Sequence, residues 1–196
     1  MKVTIYAHGT LAESHWRDAA AEYIKRLTRL WPTTVIEAAE VRLPQNPSEG
    51  EIERALAAEA KTALAKISPR AFVIALCIEG DMLSSPQLSK KMEDAAARGA
   101  SEIVFLIGSS YGLHPTLKQR ADARISFSRM TFPHQLARVM LLEQIYRAAQ
   151  IAHGAPLPSP QASAITASLR HHRKVTPLSL PLLPPALVKI LDPRHP

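Results

Sequence analysis

At 196 residues the chain has room for one domain and an appendage, and its 46% hydrophobic content is enough for a real core. No apolar run reaches the length needed to span a bilayer, and neither a Cys-X2-Cys nor a His-Glu-X2-His pattern is present, so the sequence points away from a membrane span and a metal centre. The net charge of +7, from 24 Lys+Arg against 17 Asp+Glu, suits a polyanionic partner such as RNA, although an ordinary solvated basic surface gives the same number.

The opening MKVTIYAHGT lacks the basic start, long apolar stretch and cleavage site of a secretory signal, so a cytoplasmic location is the expectation. Val3 to Ala7 alternates and reads as a strand. Glu13 to Leu30 carries Trp16, Ala19, Ala20, Tyr23, Ile24 and Leu27 at helical spacing until Trp31-Pro32 stops it. Thr34 to Ala38 is a second strand and Leu43 to Pro47 a loop. Ser48 and Glu51 form a capping box, opening a helix with Ile52, Ala55, Leu56 and Leu64 on its apolar face. Phe72 to Ile78 is a continuous apolar run of the kind a buried parallel strand shows, and Glu79-Gly80-Asp81 reads as a turn. Within that run Cys77, the lone cysteine, is expected to be an inert core thiol in a reducing compartment. A helix with Ser85 as N-cap and Pro86 at its first position runs to Gly99. Ile103 to Ile107 is the next strand, a short helix starts at His114 or Pro115, Arg124 to Phe127 is the last strand, and Pro133 begins a final helix reaching about Ala152. This alternation predicts an α/β fold with a largely parallel sheet flanked by helices.

Composition shifts after His153. Residues 157–196 hold eight of the 16 prolines and a net charge of +4, more than half of the total, so the core itself is only mildly basic. The expected organisation is a domain over 1–156 and a Pro-rich basic extension over 157–196, partly disordered or draped on a surface, with one or two helical turns between Pro185 and Leu191. His171-His172-Arg173-Lys174 is a basic cluster that reads as solvated tail first and as an RNA contact second.

Two strand ends open into polar, turn-rich loops that lead into helices, the place where α/β proteins bind ligands. In the first, Gly108-Ser109-Ser110-Tyr111-Gly112, Gly108 removes a Cβ where a ligand must come close; a plain strand-to-helix turn explains the same residues. In the second, Ser128-Arg129-Met130-Thr131-Phe132-Pro133-His134, the His134 ring can donate or accept a proton beside a bound substrate, or can satisfy local backbone groups. On the helix that follows, Arg138 and Arg147 face roughly opposite sides, so that one can meet a partner while the other pairs with Glu143. Leu136, Val139, Met140 and Leu142 form an apolar surface suited to the core or to a dimer seam.

IVFLIGSSYGL followed by ISFSRMTFPHQLARVMLLEQIYRA closely resembles the RlmH family of SPOUT methyltransferases, and KVTIYAHGT and FVIALCIEGDMLSSPQL match as well. The likeness covers residues 1 to about 154. It implies a homodimer with a deep C-terminal trefoil knot, a feature no periodicity would suggest because knots are nearly absent from proteins. It also implies methyl transfer from S-adenosylmethionine to N3 of a pseudouridine in the helix 69 loop of ribosomal RNA, within the large subunit or the assembled ribosome. By position, the cofactor contacts it implies are Leu76, Gly108, Phe127, Ser128, Arg129, Met130, Thr131 and Phe132. The chain departs from the family twice: Gly108-Ser109 replaces paired glycines, and Leu157-Pro158 stand where a Tyr-His tail is usual, with His171, His172 or Arg173 as candidates to fold back in its place.

For this chemistry His134 is the first candidate base, with Arg129 or Arg138 holding a phosphate or favouring the N3 anion. A SPOUT enzyme with another RNA target, or a ribosome-binding protein that has lost catalysis, are the competing readings.

Overall fold

The computed structural model describes residues 1–155. The expectations for the 157–196 extension, including the His171–Lys174 cluster and the positions of Leu157 and Pro158, lie outside the described residues.

The chain alternates between strands β1 (Val3–His8), β2 (Thr33–Ala38), β3 (Phe72–Met82), β4 (Ile103–Ile107) and β5 (Ala123–Ser126) and helices α1 (Ser14–Leu27), α2 (Glu49–Lys66), α3 (Ser85–Ala97), α4 (Pro115–Arg120) and α5 (His134–Ala152). All strand pairs are parallel, in the order β2-β1-β4-β3-β5. The period-two rule of strands divides their side chains between two cores. Val3, Ile5, Ile74, Ile103, Phe105 and Ile107 face one, which also takes buried residues of α1, α3 and α5. Tyr6, Val73, Ala75, Val104 and Leu106 face the other, with Ala60 and Ala63 of α2 and Leu117 of α4.

Helix starts follow the chemistry of their first turns. The Ser48 side chain accepts from the Glu51 amide at 3.3 Å while Glu51 Oε2 accepts from the Ser48 amide at 2.8 Å, the reciprocal capping box that the spacing predicts. At α3 the cap is Ser84 and not Ser85, because Gln87 stands three residues after Ser84 and completes a second box; Pro86 then falls within the first turn, where its missing N–H costs nothing. Helix α1 ends at Leu27, three residues before the Leu30 limit expected from the apolar spacing, and the amides of Leu30 and Trp31 both turn back onto the Leu27 carbonyl. Leu64, expected on the apolar face of α2, is 37% exposed, and the buried stripe runs through Ala55, Leu56, Glu59, Ala60 and Ala63.

The largest departure is in β3. Glu79-Gly80-Asp81 is not a turn: the strand continues to Met82, and its register against β5 jumps between Leu76 and Asp81, both of which pair with Ile125. The residues between them bulge from the ladder, which bends the strand and re-aims its side chains. Gly80 permits this, since a Cβ there would stand 2.5–2.7 Å from the Ile125 backbone. Backbone atoms cannot yield as a flexible side chain would. Gly80→Ala is therefore expected to destabilise the chain by about 1–3 kcal/mol. Gly50→Ala, in the first turn of α2 with only Arg54 Nη1 near at 3.9 Å, is expected to stabilise it by about 0.5 kcal/mol. Denaturant melts of the two variants check the contrast.

Candidate functional site

The carboxyl ends of β3, β4 and β5 surround a cavity of about 430 Å³, within the range of about 300–1,000 Å³ common for small-molecule sites. Leu76 and Ile107, the last pair of the β3–β4 ladder, and Phe127, just beyond β5, supply apolar walls. Gly108 and Ser128 line it too, and Met130, Thr131 and Phe132 come from the loop before α5. His134, the first residue of α5, reaches the same space. Of the residues singled out from sequence, Arg129 does not line the cavity and is exposed, and Arg138 lies apart from it.

Two loops are shaped by their own hydrogen bonds. The Gly112 amide donates to the Ser109 carbonyl at 2.9 Å, closing a turn that ends with Gly112 at φ +90°, a conformation that favours glycine. A Cβ on Gly108 would overlap the Gly112 carbonyl, so this turn's own backbone already requires a glycine at 108. In the second loop the Ser126 hydroxyl donates to the Ser128 carbonyl at 2.7 Å, and Ser128 Oγ accepts from the Met130 amide at 3.0 Å. These bonds leave the Met130 side chain outside, 70% exposed at the mouth of the cavity.

The bulge of β3 carries three residues that sequence reasoning did not place here. Cys77, expected in the core, is half-buried and lines the cavity because the strand leaves its ladder at this point. Burial pushes its thiol pKa up, with Glu79 adding to the rise and Lys118 and Arg124 opposing it. Ile78 is exposed beside it. Glu79 Oε1 accepts from Lys118 Nζ at 2.5 Å, a clasp from β3 to α4 across one side of the cavity. That hydrogen bond holds the Glu79 carboxyl below the usual carboxylate range. The clasp is therefore intact at neutral pH and is lost as pH falls through the lowered value.

Arg138, expected to meet a partner, hold a phosphate or favour the N3 anion, has a different setting. It is 0% exposed. Its Nη1 pairs with Glu37 Oε1, and its Nη2 donates to the carbonyls of Gly9 at 2.8 Å and His8 at 3.4 Å, while Nε is buried without a partner among the described residues. Burial draws the guanidinium's pKa down from its ordinary value, opposed by Glu37 and Glu40. A phosphate contact thus gives way to a bridge between α5 and the ends of β1 and β2. Arg147 pairs with Glu143 on the same helix, as the four-residue spacing predicts. Four residues before Arg138, the His134 ring is packed against Gly9: its Nε2 lies 3.3 Å from where a Gly9 Cβ would be. Gln135 adds a tether, accepting from the Ala12 amide at 3.1 Å.

Among the described residues no group of three or more His, Cys, Asp or Glu is arranged to hold a metal ion, and no helix is long and apolar enough to cross a membrane. Arg138→Leu removes a buried charge together with its hydrogen bonds and leaves the more exposed Glu37 to water, so it is expected to cost about 2–3 kcal/mol in a denaturant melt and to loosen the start of α5. A stability loss below about 0.5 kcal/mol, the range of ordinary surface substitutions, would contradict this bridging role.

A cavity at the carboxyl ends of parallel strands, rimmed by a glycine-anchored turn and by a loop that feeds a helix, is the arrangement of an α/β enzyme that binds a small cofactor. The family model described as "Predicted SPOUT methyltransferase" matches residues 1–157, which include the whole of this sheet and cavity. The chain belongs to the SPOUT methyltransferases, a family of enzymes that use S-adenosylmethionine to methylate RNA.

Proposed function

We propose that this protein transfers a methyl group from S-adenosylmethionine to N3 of a pseudouridine in the helix 69 loop of large-subunit ribosomal RNA, acting on the large subunit or the assembled ribosome as a homodimer. The observation that carries the reading is the convergence of Leu76, Gly108, Phe127, Ser128, Met130, Thr131 and Phe132 on one cavity. They fall in the RlmH-like segments FVIALCIEGDMLSSPQL, IVFLIGSSYGL and SFSRMTFPHQLARVMLLEQIYRA. The trefoil knot belongs to the same proposal. Its support is the resemblance of residues 1 to about 154 to the RlmH family.

The residues present fit the cofactor. Leu76, Ile107 and Phe127 offer an apolar slot for a purine, and the turn at Ser109–Gly112 and the loop at Ser128–Phe132 offer polar backbone and hydroxyl groups around it. When bound, the cofactor supplies an electrophilic methyl carbon on a sulfonium sulfur. The chain's part is to orient the target and to take a proton. N3 must give up its proton to be methylated, and His134, which lines the cavity, would accept it. Arg129, exposed on the loop that precedes α5, is available to the RNA phosphates. Arg138 acts indirectly, by holding the first turn of α5 against Gly9.

The test is transfer of labelled methyl from S-adenosylmethionine to ribosomes that lack the modification, with the labelled nucleotide mapped. Label on N3 of the helix 69 pseudouridine is expected; label elsewhere in RNA would move the target, and no label with intact cofactor binding would defeat the proposal. In the same assay His134→Ala is expected to lower turnover about a hundredfold with cofactor affinity kept. Unchanged turnover would remove His134 from the chemistry.

A further inference from the structure

The His134 ring has a carboxylate near it that belongs to another part of the chain. Gly9, the residue after β1, has φ +80° and no side chain to fill the space beside it. A Cβ there would stand 2.7 Å from Glu40 Oε1 and 3.3 Å from His134 Nε2. The two atoms are therefore no more than about 6 Å apart, a separation at which opposite charges stabilise each other.

The backbone on each side of Glu40 is fastened. Two residues before it, the Ala38 carbonyl accepts from the Gly9 amide at 2.8 Å. Immediately after it, the Val41 amide donates to Glu59 Oε1 at 3.0 Å. Glu40 Oε1 is buried and has no hydrogen-bond partner among the described residues. A carboxylate oxygen out of water and without a donor is costly, and a nearby cation or N–H offsets that cost. Two groups qualify. The Arg138 guanidinium feels the Glu40 charge, but its hydrogen bonds go to Glu37 and to the carbonyls of His8 and Gly9. His134 Nε2 is the other. Glu40 does not line the larger cavity. It borders a smaller one of about 260 Å³ that shares Ser109, Ser110 and Tyr111 with the first. Glu40 can therefore influence the reacting atoms through His134, which does line the larger cavity, and not by touching them.

On the reading of His134 as the base, we infer that Glu40 is its positioning residue: the carboxylate holds the Nε2 hydrogen and balances the positive charge the ring gains on taking the substrate's proton. A neutral imidazole has one N–H and one lone pair, so an acceptor beside Nε2 leaves the lone pair on Nδ1 for the incoming proton. The substrate's N–H bond breaks, a new one forms at Nδ1, and Glu40 stays ionised throughout. The pair is open here and closes once the ring is charged; catalytic hydrogen bonds commonly tighten in this way.

The first test needs no methyl transfer. In a crystal structure of the full chain at about pH 5.5, an ordinary imidazole is charged and an ordinary carboxylate is ionised. His134 Nε2 is expected about 2.8 Å from a Glu40 oxygen. A separation still above about 4 Å, beyond ion-pair contact, would overturn the inference whether or not the protein methylates RNA. The second test is kinetic. Glu40→Gln, which keeps the shape and removes the charge, is expected to lower kcat for labelled transfer about tenfold, with the KM for RNA and the affinity for S-adenosylmethionine kept. In a His134→Ala background the same substitution is expected to cost nothing further, as for groups that act as one unit. An unchanged kcat, an equal loss in both backgrounds or a weakened hold on the cofactor would overturn the inference, the last two by showing that Glu40 supports the fold around Arg138 instead. Failure of labelled transfer to helix 69 would defeat the proposed function and leave the crystallographic distance to decide the pairing separately.

Discussion

A guanidinium sealed from water organises this molecule. Arg138 joins α5 to the ends of β1 and β2 through Glu37 and through the carbonyls of His8 and Gly9. Burying such a group is unfavourable unless its charge is paired and its donors are used. Here the pairing also fastens the N-terminal part of α5 to the ends of β1 and β2. His134 lies one turn earlier on the same helix, against Gly9 and on the wall of the larger cavity. A residue that looks from sequence like a reader of phosphate thus works as a fastening, and the position of the candidate base follows from it.

Two close backbone approaches do for the cavity what Arg138 does for the helix. At Gly80 the bulged part of β3 passes the Ile125 backbone so nearly that no side chain fits between them. At Gly108 the turn folds back until its own Gly112 carbonyl occupies the space of a Cβ. The first turns Cys77 and Glu79 toward the space between the strand ends, where Glu79 meets Lys118. The second keeps Ser109, Ser110 and Tyr111 in a compact wall that borders both cavities.

What was legible in the sequence was whatever depends on local pattern. The strands Ile103–Ile107 and Phe72 onward are apolar runs because they are covered on both faces, and the capping box at Ser48 needs only a hydroxyl and a carboxylate three residues apart. The continuation of β3 through Glu79-Gly80-Asp81 was not legible, since the three residues look like a turn and only the pairing with β5 makes them strand. Arg138 and Glu59 escaped for a related reason: charged residues are read as surface, and burial is decided by what packs over them. For Glu59 a signal did exist. It occupies a position in the stripe Ala55, Leu56, Ala60, Ala63 that the helical period reserves for apolar residues, and a charge placed there is out of pattern.

The account stands on one claim about place: that the space between the ends of β3, β4 and β5 is where the cofactor sits. A crystal structure with S-adenosylhomocysteine addresses it most directly. The account predicts the adenosine against Leu76, Gly108 and Phe127, with its sulfur directed toward the Ser109–Tyr111 wall and His134. A ligand bound at any other part of the sheet, with this cavity unchanged, would contradict it.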